Sequence, residues 1–155
     1  MVRSSYIEQL SYIDEHSIPV RATPEHTWAA LVAVGRAMRG PTGPLGKLMG
    51  LQPARGSGDW RGSVEAGATL PGFVVDQARP PARLTLRGRH HFSRYALEFE
   101  LEDRGSEGTR VRARTWASFP GIHGRSYRAL VIGTGAHGVV VRRLLRSIQA
   151  RARSA

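Results

Sequence analysis

The side chains able to move a proton near neutral pH are six histidines and four tyrosines, in a chain with no cysteine. His137 stands in the run Gly133-Thr134-Gly135-Ala136-His137-Gly138, on the apolar side of a helical pattern. His90 points to the apolar side of an alternating, strand-like stretch that ends at Phe92. His123 follows a Pro-Gly turn, with Tyr127 one helical turn later. A neutral imidazole facing a cavity can hold a polar group or act as a base. As a base, His90 or His137 would take a proton next to a carbonyl, with Tyr95, Tyr127 or Arg125 steadying the oxyanion. The plain alternative is that His137 is a core histidine satisfied by its neighbours. No histidine spacing suits a metal: there is no HExxH, and no thiolate is available, so neither metal nor cofactor is expected. Nor is GTGAHG a nucleotide loop, lacking both the preceding strand and the required glycine spacing.

These residues need elements to place them. From Tyr127 to Ala150 apolar side chains recur in steps of three and four (Tyr127, Leu130, Val131, Thr134, His137, Val141, Leu144, Leu145, Ile148) without a proline. This pattern predicts one helix of about 38 Å. Gly133, Gly135 and Gly138 would cost it about 0.8–1 kcal/mol each relative to alanine, so close packing or room for a ligand should justify them. Such a helix needs a sheet to cover. Leu70–Gln77 reads as a first strand, ending before Pro80-Pro81. In Arg83–Phe92, Tyr95–Glu102 and Thr109–Phe119, apolar and polar residues alternate. The outward Glu98, Glu100 and Glu102 fall between outward rows at Arg83, Arg87, Arg89 and at Arg110, Arg112, Arg114, which favours antiparallel pairing in that order with one wet face. Before these lies a strand around Asp14–Val20. A helix follows it, opened by Thr23 as cap and Pro24 in the first turn, fading near Gly35 or Gly40. Residues 40–67, rich in Gly and Pro, read as a long loop with a short amphipathic turn at Leu45–Leu51.

The expected fold is therefore α+β: a curved antiparallel sheet wrapped around a long C-terminal helix, as one domain over residues 1–155. The formal charge is +11, from 23 basic and 12 acidic residues. That charge could steer anions, but the arginines are spread along the chain and the sheet rows use many of them, which disfavours nucleic acid. No run resembles a signal peptide or a membrane span, so a cytoplasmic protein is expected, with at most transient membrane contact through the basic C-terminal helix. It would be a monomer or a homodimer.

The early strand followed by Thr23-Pro24-Glu25-x-x-Trp28, together with the C-terminal helix, resembles the helix-grip superfamily of START, Bet v 1-like, polyketide cyclase/dehydrase and lipid-transport proteins (the SRPBCC group). Within it, Thr109–Leu145 is most similar to an uncharacterised bacterial family of DUF2867 type. The resemblance implies an internal cavity which in relatives holds lipids, sterols or polyketide-like molecules, without implying an activity. On the residues here, the cavity between sheet and helix would be lined by Leu84, Leu86, Leu97, Phe99, Val111 and Val131. Tyr95 and Trp116 would form wall, Gly133 would leave room, and His90, Tyr127 and His137 would fix a polar group, with Arg125 as an anion clamp at the mouth. The leading expectation is non-enzymatic binding of a small hydrophobic or amphipathic ligand. The alternatives are a cyclase/dehydrase-type enzyme and a basic surface for RNA or membrane.

Overall fold

The computed structural model describes residues 5–38, 64–70 and 72–154. The loop expected over residues 40–67, with its Leu45–Leu51 turn and Trp60, lies outside the described residues up to 63. Val64 is buried, and its neighbours lead into the sheet.

Six strands form one antiparallel sheet: β1 (Ser11–Val20), β2 (Thr69–Leu70), β3 (Phe73–Arg79), β4 (Arg83–His90), β5 (Ser93–Asp103) and β6 (Thr109–Ser118). Their spatial order is β1-β6-β5-β4-β3-β2, and the sheet does not close into a barrel. The single strand expected over Leu70–Gln77 is two: Leu70 pairs with Phe73, and Gly72 between them has φ 80°, a conformation suited to glycine.

The alternation read from the sequence sets the register. Leu84 faces Phe99, Leu86 faces Leu97, and Phe99 faces Ala113 on the inner side. On the outer side Arg83 faces Glu100, Glu98 faces Arg114, Glu100 faces Arg112 and Glu102 faces Arg110. Arg114 reaches Glu100 (2.7 Å), Glu98 (3.5 Å) and, on β1, Glu15 (2.6 Å). The expected charge row is thus in place towards β6; towards β4 only Arg83 faces it, since Arg87 lies opposite Ala96 and pairs with Asp76 on β3, and Arg89 lies opposite Arg94. The outer face is not uniformly wet, however. A short 3-10 turn at Ile7–Gln9 packs Ile7 onto Ala96 and Trp116, with Tyr6 and Leu10 beside it.

Helix α1 (Pro24–Ala37) begins as expected: the Thr23 Oγ1 accepts the His26 N–H, and Pro24 occupies the first turn. The C-terminal helix differs from its expectation. It is two helices, α2 (Gly121–Val131) and α3 (Ala136–Arg153), with Gly135 at φ 74° capping α3. The glycines thus mark a break, because a left-handed residue cannot continue a right-handed helix. Beyond the break, α3 carries the apolar stripe Val141, Leu145, Ile148 and Ala152, all buried. It packs on β1 and α1, while α1 packs on β5, so both cover the inner face of the sheet. Before the break the stripe fails: Leu130 is 66% exposed and Thr134 is exposed. No helix among the described residues is long and apolar enough to cross a membrane.

Candidate functional site

A cavity of about 150 Å³ lies between α1, α3 and the inner face of the sheet. Leu84, Leu86, Leu97 and Phe99 form its floor, as expected. Its walls are Leu31 and Val34 of α1 with Met38 just beyond its end, Leu70 and Phe73 at the far edge of the sheet, and Val140, Val141 and Leu144 of α3. Its one ionisable wall residue among those described is His137. Val140 lines the cavity yet is 65% exposed, so the opening lies beside the first turns of α3. A second, larger hollow at the opposite end of β1 and β6, lined by Arg21–Glu25, Asp103 and Gly105–Gly108, is open to solvent.

His137 is held from behind. Its Nε2 lies 3.0 Å from the Thr115 Oγ1 and 3.5 Å from the Asp14 Oδ1. The other carboxylate oxygen, Oδ2, lies 3.1 Å from the His16 Nε2. One carboxylate therefore stands between two imidazoles. β1 supplies it by its alternation, since Asp14 and His16 are two residues apart and share the inner face. A bulge between Tyr12 and Asp14 sets that phase. Gly138 permits the approach of α3: a Cβ there would come within 3.3 Å of the His16 Nε2. The Thr115 hydroxyl holds the His137 ring by a hydrogen bond, while the Asp14 Oδ1 stands in ion-pair range of it without a hydrogen bond.

His90 and Tyr127, expected beside His137, form a separate cluster at the end of the sheet beneath α2. Their ring centroids are 4.7 Å apart and edge-on, and Tyr127 also stacks on Phe92 at 5.7 Å. The His90 Nδ1 accepts the Phe92 N–H at 3.1 Å, and its Nε2 is 3.0 Å from the Ser93 Oγ. Both ring nitrogens are thus engaged within their own hairpin. Burial, and secondarily His91, holds the His90 imidazole below its ordinary pKa; burial raises the Tyr127 phenol. Tyr95 packs edge-on to Phe73 and donates to the Gly72 carbonyl at 2.7 Å, its phenol raised far above the usual range by burial. It therefore serves as a brace between β5 and the β2–β3 edge. Gly88, directly across from Tyr95, leaves the space this brace needs, since a Cβ there would collide with the Gly72 carbonyl and the Tyr95 ring.

The remaining expected site residues are elsewhere. Trp116 is on the outer face against Ile7, because Thr115 and Ala117 take the inner positions of β6. Val111 is core, wholly buried, and does not line the cavity. Val131 is half-buried at the end of α2, and Arg125, His123 and Gly133 are exposed, away from the cavity walls. Asp14, Thr115 and the α1 wall join the site without a motif that marks them in the sequence. The pairing of β1 with the last strand, which brings Asp14 opposite Thr115, has no local signature in the sequence. No group of three or more His, Asp or Glu residues among those described is arranged to hold a metal.

No protein-family model matches the chain, and no curated protein does. Solved structures do share its fold. Protein MLL2253 from Mesorhizobium loti is 16% identical, with 92% of this chain and 97% of that one covered at a TM-score of 0.53. TTHA0849 from Thermus thermophilus is 17% identical over 93% and 98%, also at 0.53. An uncharacterized protein from Rhizobium leguminosarum is 11% identical over 94% and 97%, at 0.55. The chain has the fold of these proteins. At such identities the likeness carries architecture and nothing about ligand or activity.

Proposed function

We propose that the protein binds a small apolar or amphipathic molecule in the cavity between α1, α3 and the sheet, without turning it over, and that it does so as a member of the helix-grip group, near its DUF2867-type branch. The observation that carries the reading is the wall itself: aliphatic and aromatic side chains from six elements, with His137 as the one ionisable group among the described residues. Apolar pockets with one or two placed polar groups are how small ligands are captured and oriented. A volume of about 150 Å³ narrows the ligand to a single ring or a short chain, since a cavity of about that size in an apolar core takes up benzene. A lipid or polyketide would need α1 and α3 to part. Action in the cytoplasm belongs to the same proposal.

The test is an NMR titration with toluene and with phenol. Both should bind saturably and shift the resonances of Leu84, Leu86, Leu97 and Phe99. Phenol should bind tighter by roughly fivefold, the worth of one hydrogen bond of about 1 kcal/mol to His137. His137→Phe should erase that preference while keeping toluene binding. Absence of saturable binding by either probe would end the reading.

A second reading is proton-transfer catalysis with His137 as base, and the Asp14 carboxylate behind that ring favours it. Chromatography of the molecule released from protein purified from its own cells, before and after re-incubation with fresh protein, separates the two: an unaltered molecule supports binding, and conversion to a second species supports turnover.

A further inference from the structure

The charge of the chain is divided unevenly. All 12 acidic residues lie at or before Glu107, while residues 120–155 hold seven arginines and no Asp or Glu. The sheet arginines Arg83, Arg87, Arg112 and Arg114 each have a carboxylate partner in Asp76, Glu98, Glu100, Glu102 or Glu15. Arg125, Arg128, Arg142, Arg143 and Arg146 form no ion pair among the described residues and are exposed. Most of the formal +11 therefore resides, unneutralised, on α2 and α3.

The same segment carries the exposed apolar surface. Of the five large exposed hydrophobic side chains among the described residues, four are Ile122 (78%), Leu130 (66%), Val139 (59%) and Val140 (65%). Helix α2 touches the body through Tyr127 on His90 and Phe92 and through Gly124 against the Phe119 backbone. Helical spacing then turns Ile122, Ala129 and Leu130, with Arg125, away from the body. Ile122 and Leu130 stand largely in water, so a surface that covers them would gain the hydrophobic burial that the fold leaves unused. The surface that accepts both branched aliphatics and arginines is the headgroup–acyl boundary of a bilayer containing anionic lipid. A nucleic acid would match the arginines alone, having no use for Ile122 or Leu130, and α2 and α3 hold no exposed Phe, Tyr or Trp among the described residues for a base to stack on. A second copy of this basic surface would repel the first.

We infer that α2 and the first turns of α3 form a docking surface for an anionic lipid bilayer. Of the exposed residues it is argued from, Val140 alone also lines the cavity. Docking would place the cavity opening beside Val140 near the lipid.

The test uses the full chain with phosphatidylcholine vesicles, with and without phosphatidylglycerol, in a flotation assay. Binding is expected with phosphatidylglycerol only, and weakens as salt is raised. Arg125→Gln with Arg128→Gln should weaken it about 30-fold, at about 1 kcal/mol per basic residue near the surface. Ile122→Ser with Leu130→Ser should weaken it tenfold or so while leaving the thermal melt unchanged, since neither side chain is buried. No flotation with phosphatidylglycerol overturns the inference, as does flotation that either double variant leaves intact. Two further results overturn it when flotation fails: binding of a single-stranded RNA that survives Ile122→Ser/Leu130→Ser, or a concentration-dependent dimer abolished by that variant. Toluene binding in the cavity is read separately, so failure of docking and failure of the ligand proposal remain distinguishable.

Discussion

His90 and His137 show how neighbours divide one residue type into different tasks. His90 spends its Nδ1 lone pair on the Phe92 N–H, so protonating that nitrogen would break the bond inside a half-buried ring cluster. Burial lowers its pKa by taking the charged ring out of water, and His91 adds to this. The sign follows from linkage: the unfolded chain takes up a proton as pH falls through about 6.5, while the folded chain resists until a lower pH. Stability contributed by His90 is therefore full above that range and declines as pH drops through it. Urea melts at about pH 7.5 and about pH 5 should show this decline, and His90→Gln should shrink the difference between them. His137 instead shares its Nε2 between Thr115 and Asp14 at the wall of a cavity. Both histidines were legible as inward-facing from alternation and helical spacing. That they belong to different sites was not, because the distance between them is set by where α2 ends and α3 begins.

At the scale of the element, that joint decides the most. Periodicity runs nearly unbroken across residues 127–148, since Leu130 and Val131 continue the steps that Val141 and Leu145 extend. Apolar spacing reports which side chains could share a face. It does not report whether the backbone keeps a right-handed helix between them. Gly135 decides this through its φ of 74°, and nothing lies within 4 Å of where its Cβ would be. The cost of a side chain there is thus conformational, not steric. Gly135→Ala should lower stability by about 1–2 kcal/mol, and Gly135→Asn by less, because Asn tolerates the left-handed region. Equal losses in denaturant titrations would mean that some other constraint sets the break. Once broken, the segment can serve two surfaces: α3 buries its stripe on β1 and α1, while α2 is free to face outward.

Across the whole molecule, the alternating strands made the central sheet readable: β4, β5 and β6 have the order, phase and charge pairing that Leu84, Phe99 and Val111 on one side and Arg83, Glu98 and Arg114 on the other foretell. The burial of that charged face was not readable. Glu98 is 7% exposed, with the Thr85 hydroxyl at 3.5 Å and the guanidinium groups of Arg83 and Arg114 at 4.0 Å and 3.5 Å. Its partners across the pairs were foreseeable, but the exclusion of water depends on long arginine stems lying over the sheet. Removing one member of a buried charged set is costly, whereas an exposed pair is worth little. Glu98→Gln should therefore destabilise by about 2–3 kcal/mol, against less than about 1 kcal/mol for Arg104→Ala, which removes an exposed partner of Glu102. Chemical denaturation of the two variants side by side measures the contrast.

The position of β1 has a consequence for how the chain is made. β1 pairs along its length with β6, the last strand to be synthesised, and with no other strand among the described residues. On the ribosome, at about 5–20 residues per second, Asp14 and His16 wait for roughly 5–20 seconds before Thr115 emerges to meet them. The hairpins from β3 to β5 can close as they leave the exit tunnel. The first strand must be kept from pairing with other chains until the end. Its unbroken polar run Asp14-Glu15-His16-Ser17, and Pro19 near its end, suit a nascent strand that has to remain single in water.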